Sequence, residues 1–222
     1  NTYDQAWPLL PLVRYDQRFA DSIGKWMLNA ANAAKFFYPA HLPAAHQTIP
    51  ELAPITKGVI AYEGLIKHSN YPQYAHKKAP VAQGDGPHWL PENPPESQFS
   101  VYGSAHVGLF GALIKRTNVA EVLALDLLAT DFFHDPAFPT SLYYNPLPRT
   151  QKITVIVPQG QTVDLYDTVS GAFLARNVKT SELITIPSKS SRVIVQVPSQ
   201  GVLSKEGRKL TVNGVVIDFR AI

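Results

Sequence analysis

The chain of 222 residues contains no cysteine and one methionine. The first absence excludes disulfides, a thiol nucleophile and any cysteine-ligated metal. Charge is also scarce: 17% of residues are Asp, Glu, Lys or Arg, and the formal net charge is +3. That balance is too small for a nucleic-acid footprint, and Lys205, Arg208 and Lys209 make a small solvated patch rather than a basic stripe. Long apolar runs are missing too. The stretch Val119–Leu128 carries Glu121 and Asp126 and falls far short of a membrane span. Neither H-x-x-x-H nor H-E-x-x-H occurs among the seven histidines. Gly103, Gly108 and Gly111 match neither the Walker nor the dinucleotide pattern. The expectation is therefore no metal, no cofactor, no nucleic acid and no membrane. No signal or transit segment is recognisable, and Asn1 reads as a processed end or the start of a fragment.

What is present is unevenly spread. Sixteen of the nineteen prolines precede position 150, as do all seven histidines and all three tryptophans. From Gln151 onward nine Lys/Arg stand against five Asp/Glu, so the tail is basic. Both shifts coincide with the run from Asn145 to Arg149 (NPLPR), where helix is disfavoured. An α+β chain of two domains is expected, helical over 1–148 and a small antiparallel β-sandwich over 149–222.

The sandwich reading rests on short β-branched runs: Lys152–Val157, Thr162–Tyr166, Ala172–Arg176, Leu183–Ile186, Arg192–Val197, Lys209–Val212 and Val215–Phe219. Asn213-Gly214 is the strongest hairpin signal, because both residues tolerate positive φ, and Ser170-Gly171 marks another turn. In the first part, Phe19, Ile23, Trp26, Met27, Ala30, Ala34 and Phe37 recur at helical spacing, and Tyr38-Pro39 ends that helix. Shorter helices are expected over Glu51–Lys67 and Ser100–Thr117. A buried one is expected over Val119–Phe133, capped by Asn118 with Glu121 in the capping-box position. Asn70–Pro95 holds six prolines and reads as a long functional or disordered loop.

The segments Tyr15–Pro39, Gly58–Leu65, Tyr102–Gly111, Leu123–Phe133 and Val163–Val178, in that order, resemble the C-terminal part of bacterial six-hairpin glycosidase-like proteins. The resemblance spans most of the chain without a short diagnostic signature. It implies an (α/α) toroid followed by a β-sandwich, a carbohydrate substrate and an extracytoplasmic location. A six-hairpin toroid needs roughly twice this helical sequence, so the resemblance also implies a fragment, or a second polypeptide supplying the remaining hairpins.

Glycoside hydrolysis uses two carboxyl groups, one as acid and one as base or nucleophile. Glu63, beside Tyr62 and Gly64, and Asp85, in a loop with His88 and Trp89, are the candidate catalytic pair. Their plainer readings are a helix-surface acid or cap and a turn residue. Tyr102, His106, Trp89, His88 and Asp131 are candidate substrate contacts. His106 can equally be a hydrogen-bonded core residue, and Tyr102 with His106 is also the equipment of a lyase. Asp126 is expected to be structural, paired with Arg14, Arg18 or Arg116. Tyr143, Tyr144 and Asn145 are expected to pack the two domains together. The leading expectation is thus a glycoside hydrolase acting on an oligo- or polysaccharide. The alternative is a non-catalytic module that binds a glycan or another subunit, with a polysaccharide lyase third.

Overall fold

Valine and isoleucine at Val193, Ile194, Val195 and Val197 build the longest strand among the described residues, β10 (Ser190–Pro198), buried on both sides of its backbone. The computed structural model describes residues 5–33, 65–66, 81–82 and 111–221. They belong to two units, Gln5–Leu28 with Leu113–Ile222, and Asn1–Asp4 with Asn29–Ala112. The second unit contributes one described ladder, β1 (Leu65–Ile66) antiparallel to β2 (Val81–Ala82).

The first unit is built mainly of strands. After α1 (Ala6–Tyr15), a 3-10 turn (Gln17–Phe19) and α2 (Ala20–Ala33) come β3 (Ile114–Arg116), β4 (Leu123–Asp126) and β5 (Thr140–Asn145). The chain continues through β6 (Gln151–Ile156), β7 (Val163–Asp167), β8 (Ala172–Val178) and β9 (Ser181–Ile186) to β10. It ends in β11 (Leu203–Glu206), β12 (Lys209–Val212) and β13 (Val215–Asp218). One sheet has the order β3-β4-β5-β10-β7-β8, a second pairs β6 with β9, and a third has the order β11-β12-β13. All pairings are antiparallel.

Strand alternation assigns the faces of the large sheet. Ala124, Tyr143, Ile194 and Leu165 share a core with Ile153, Val155, Ile184 and Ile186 of the β6–β9 pair. Each fully buried aliphatic chain there contributes about 1.5–3 kcal/mol. On the opposite face Leu125, Leu142 and Val193 lie side by side in register, and Gly24 and Leu28 of α2 border a small void with Leu123, Leu125 and Tyr144. Tyr166, Val195 and Val197 on that face pack with Val212 and Ile217 of the third sheet.

These observations overturn the toroid. The described residues form two short helices and thirteen strands, and no (α/α) array is among them. The helix expected over Val119–Phe133 is instead β4 followed by a loop. Its apolar character on every side is that of an interior strand, with Leu125 buried on one face and Ala124 on the other. Short apolar runs read alike as buried helix or buried strand. The ends of the expected helices Ser100–Thr117 and Glu51–Lys67 likewise hold strands, β3 and β1. The six-hairpin glycosidase likeness loses its support with the toroid.

The run from Asn145 to Arg149 is the turn from β5 to β6. Buried Asn145 donates to the carbonyls of Arg149 at 2.8 Å and Pro187 at 2.9 Å, and accepts from the Leu147 amide at 3.0 Å. Helix α1 escaped the sequence reading because Pro8 and Pro11 lie within it. Pro11 has no amide to give the carbonyl four residues earlier. That carbonyl, of Trp7, accepts the Thr130 hydroxyl at 2.9 Å instead, which ties α1 to the loop after β4.

Candidate functional site

The β6–β9 pair covers only part of the large sheet. Where β3, β4 and β5 extend past it, an open groove of about 690 Å³ remains. Its floor carries Ala124, Asp126, Ser141, Tyr143 and Gln196, and its walls are Lys115 on one side and Thr154 and Ile156 on the other. Alternation places these groups. In β10 the residues pointing toward the β6–β9 pair are Arg192, Ile194 and Gln196, so a glutamine stands at an otherwise core-directed position.

The polar groups of the groove have unequal engagements. Asp126 accepts the Leu128 amide at 3.0 Å and lies 3.8 Å from Lys115 Nζ. Tyr143 is buried, which holds its phenol above the ordinary range, with a smaller opposing contribution from Ser141. Gln196 Nε2 donates to the Ile156 carbonyl at 3.2 Å, while its buried Oε1 has no hydrogen-bond partner among the described residues. Gln196 is thus fixed at one end and has an acceptor to spare at the other.

The wall formed by β6 is a strand edge. The Val157 amide donates to Thr180, so Val157, Val155 and Ile153 turn their backbone groups toward β9. Lys152, Thr154 and Ile156 turn theirs outward. Asn118 occupies part of this edge: its Nδ2 donates to the Lys152 carbonyl at 3.1 Å and its Oδ1 accepts the Thr154 amide at 2.7 Å. Asn118 therefore stands in for a neighbouring strand rather than capping a helix.

Asp131 has a different setting. Its Oδ2 accepts from Arg14 Nη1 at 2.9 Å and from the Tyr15 hydroxyl at 2.8 Å, with the Arg14 side chain only 6% exposed. The Tyr15 ring packs on Phe219, their centroids 4.8 Å apart. Burial, followed by the bond to Asp131, raises the Tyr15 phenol. This carboxylate clamps the loop after β4 onto α1 and does not line the groove. Arg14, one of the expected partners of Asp126, is thus bound to Asp131, and Asp126 has Lys115 instead. The other candidates, Glu63, Asp85, His88, Trp89, Tyr102 and His106, lie outside the described residues.

Compared with known proteins, the chain matches no family model, no curated protein and no solved structure. The groove residues carry no motif, and the sequence suggested only structural roles for Asp126 and Tyr143 among them. One signal was available for Gln196: a polar residue at an inward position of the apolar strand Val193–Val197. For Lys115 and Ser141 there was none, since β3 and β5 were not recognised as strands.

Proposed function

We propose that the unit formed by Gln5–Leu28 and Leu113–Ile222 is a non-catalytic recognition module whose ligand lies in the groove beside β6. The observation that supports this reading is the pairing of an open trough with fixed, partly unused hydrogen-bonding groups, above all Gln196 Oε1. Binding sites combine a preformed concavity with a few placed polar groups. The groove carboxylate, Asp126, is engaged with Lys115 and the Leu128 amide, an orienting role rather than that of a free acid or base. The hydroxyls of Ser141 and Thr154 along the groove favour a glycan as the second reading.

The test is a ligand screen of the full chain by thermal shift, with product analysis alongside. A ligand at a hundred times its Kd is expected to add about 2.7 kcal/mol of stability. No bond in it is expected to be cleaved, and Ser141→Trp, which fills the groove, is expected to cancel the shift. Turnover of the bound ligand that Asp126→Asn abolishes would overturn the non-catalytic reading.

A further inference from the structure

The outward backbone groups of β6 form a series. The Lys152 carbonyl and Thr154 amide are taken by the Asn118 carboxamide. Farther along, the Ile156 carbonyl is taken by Gln196 Nε2. Between these two plugs stand the Thr154 carbonyl and the Ile156 amide, for which no bond exists among the described residues. An acceptor and a donor two positions apart on the same edge are what one residue of a parallel neighbouring strand engages, its N–H toward the first and its C=O toward the second. The Asn118 carboxamide makes that same pair of bonds one step earlier. The spacing therefore fits a backbone amide unit.

The surroundings extend the match. Ile156 is 73% exposed and stands beside the edge as an aliphatic contact. Gln196 Oε1 offers a further buried acceptor for an N–H. The geometry points to an extended peptide as the ligand of the groove, added to β6 as a parallel strand at Thr154 and Ile156. Strand addition of this kind draws affinity from main-chain bonds and selectivity from the flanking side chains. The assignment rests on the groove being a recognition site and goes further by naming the ligand class.

The experiment follows hydrogen exchange at the Ile156 amide of the full chain, with and without a short blocked peptide alternating valine and threonine. Fast exchange in the free chain, slowed at least about tenfold by saturating peptide, is expected. The same peptide N-methylated on one edge is expected to lose up to about tenfold in affinity, since one hydrogen bond is worth up to about 1.5 kcal/mol. Ile156→Pro removes the amide at an edge position where proline is tolerated. It is expected to weaken the unmodified peptide to a similar degree, while Ile156→Val retains binding. Equal binding of the N-methylated peptide, or unchanged exchange at Ile156, would overturn the assignment. So would an Ile156 amide already protected in the free chain, which would mean that the chain's own residues complete the edge. If a neutral oligosaccharide perturbs the groove and the peptide does not, the peptide assignment falls and the recognition module stands. If neither perturbs it, both fall.

Discussion

Gly24 of α2 lies so close to Tyr144 of β5 that a Cβ built on the glycine would sit 2.6 Å from the Tyr144 Cβ. The atom it meets is the root of a side chain, fixed to the sheet backbone, and cannot swing aside. Alanine improves helix propensity by about 1 kcal/mol, whereas overpacking costs about 1–3 kcal/mol. Gly24→Ala is therefore expected to lower stability by about 1 kcal/mol, read as a reduced urea midpoint. A midpoint that rises would show that α2 slides freely on the sheet.

Asp167 is fully buried and holds several elements at once. It accepts from Arg192 at 2.7 Å, from the Ser170 hydroxyl at 2.6 Å and from the amides of Val169, Ser170 and Val193. Removing the carboxylate leaves a half-buried guanidinium and three amides without their partner. Asp167→Ala is expected to cost about 3–5 kcal/mol in denaturant unfolding. In a double-mutant cycle with Arg192→Met the two losses should fall well short of additive.

For Asp131 the expectation separates a clamp from a ligand contact. Asp131→Ala strands the buried Arg14 and is expected to cost about 3 kcal/mol in thermal or denaturant unfolding. Ligand affinity at the groove should not change below the new melting temperature. A selective loss of binding with unaltered stability would return Asp131 to the site.

Acid and alkali act through different groups. The Arg18 side chain, hydrogen-bonded to Asp16, holds that carboxyl down at about 2, below its ordinary 3.8. The unfolded chain then takes up this proton first, so the stabilisation is present above the ordinary value and fades as pH falls toward about 2. Asp218 is raised by burial, so the folded state binds its proton first and gains stability at higher pH, as pH falls from the raised value to the ordinary 3.8. Asp16→Asn is expected to flatten the stability–pH curve below 3.8, and Asp218→Asn to remove the gain just above it. Above pH 10 the sign is set by Tyr166, whose phenol is raised by burial and by Asp218 beside it. Unfolded tyrosine ionises first there, and stability should fall as pH rises. Phenolate absorbance should lag in the folded protein, and Tyr166→Phe should remove part of that lag. Absorbance rising in step with that of the unfolded chain would refute this.

Asn118→Ala deletes two hydrogen bonds at the β6 edge and is expected to cost about 1 kcal/mol. The more telling readout is the Thr154 amide, whose exchange should accelerate while that of Val155, bonded toward β9, holds. Equal acceleration at both would mean that β6 as a whole loosens.

Local turn chemistry was legible in the sequence. Asn213 and Gly214 adopt φ of +52° and +78°, and Gly171 adopts +66°, as their residue types suggested. The alternating runs after Arg149 likewise correspond to β6 to β10, β12 and β13. Illegible elements had physical reasons. β4 is buried on both faces, so its pattern lost the alternation that marks a half-exposed strand. β11 is exposed at all four residues and offers no apolar face to detect. Asn118 looks the same before a helix as beside a strand edge, because either use needs only a short amide in a loop. The groove was hidden for a related cause: its residues come from β3, β4, β5, β6 and β10, and proximity in space leaves no spacing in sequence.

The position of β10 between β5 and β7 has a consequence for how the protein is made. β5 emerges from the ribosome early, but its partner Ser190–Val195 follows only after the whole β6–β9 segment. Until Pro198 is clear of the exit tunnel, β3, β4 and β5 have one long unpaired flank, and α1 and α2 wait for a sheet to rest on. Pairings this distant in sequence close slowly and leave sticky intermediates. Nascent chains halted before β10 should therefore be bound by chaperones or degraded, whereas in chains extended past Ala221 the unit formed by Gln5–Leu28 and Leu113–Ile222 should resist protease.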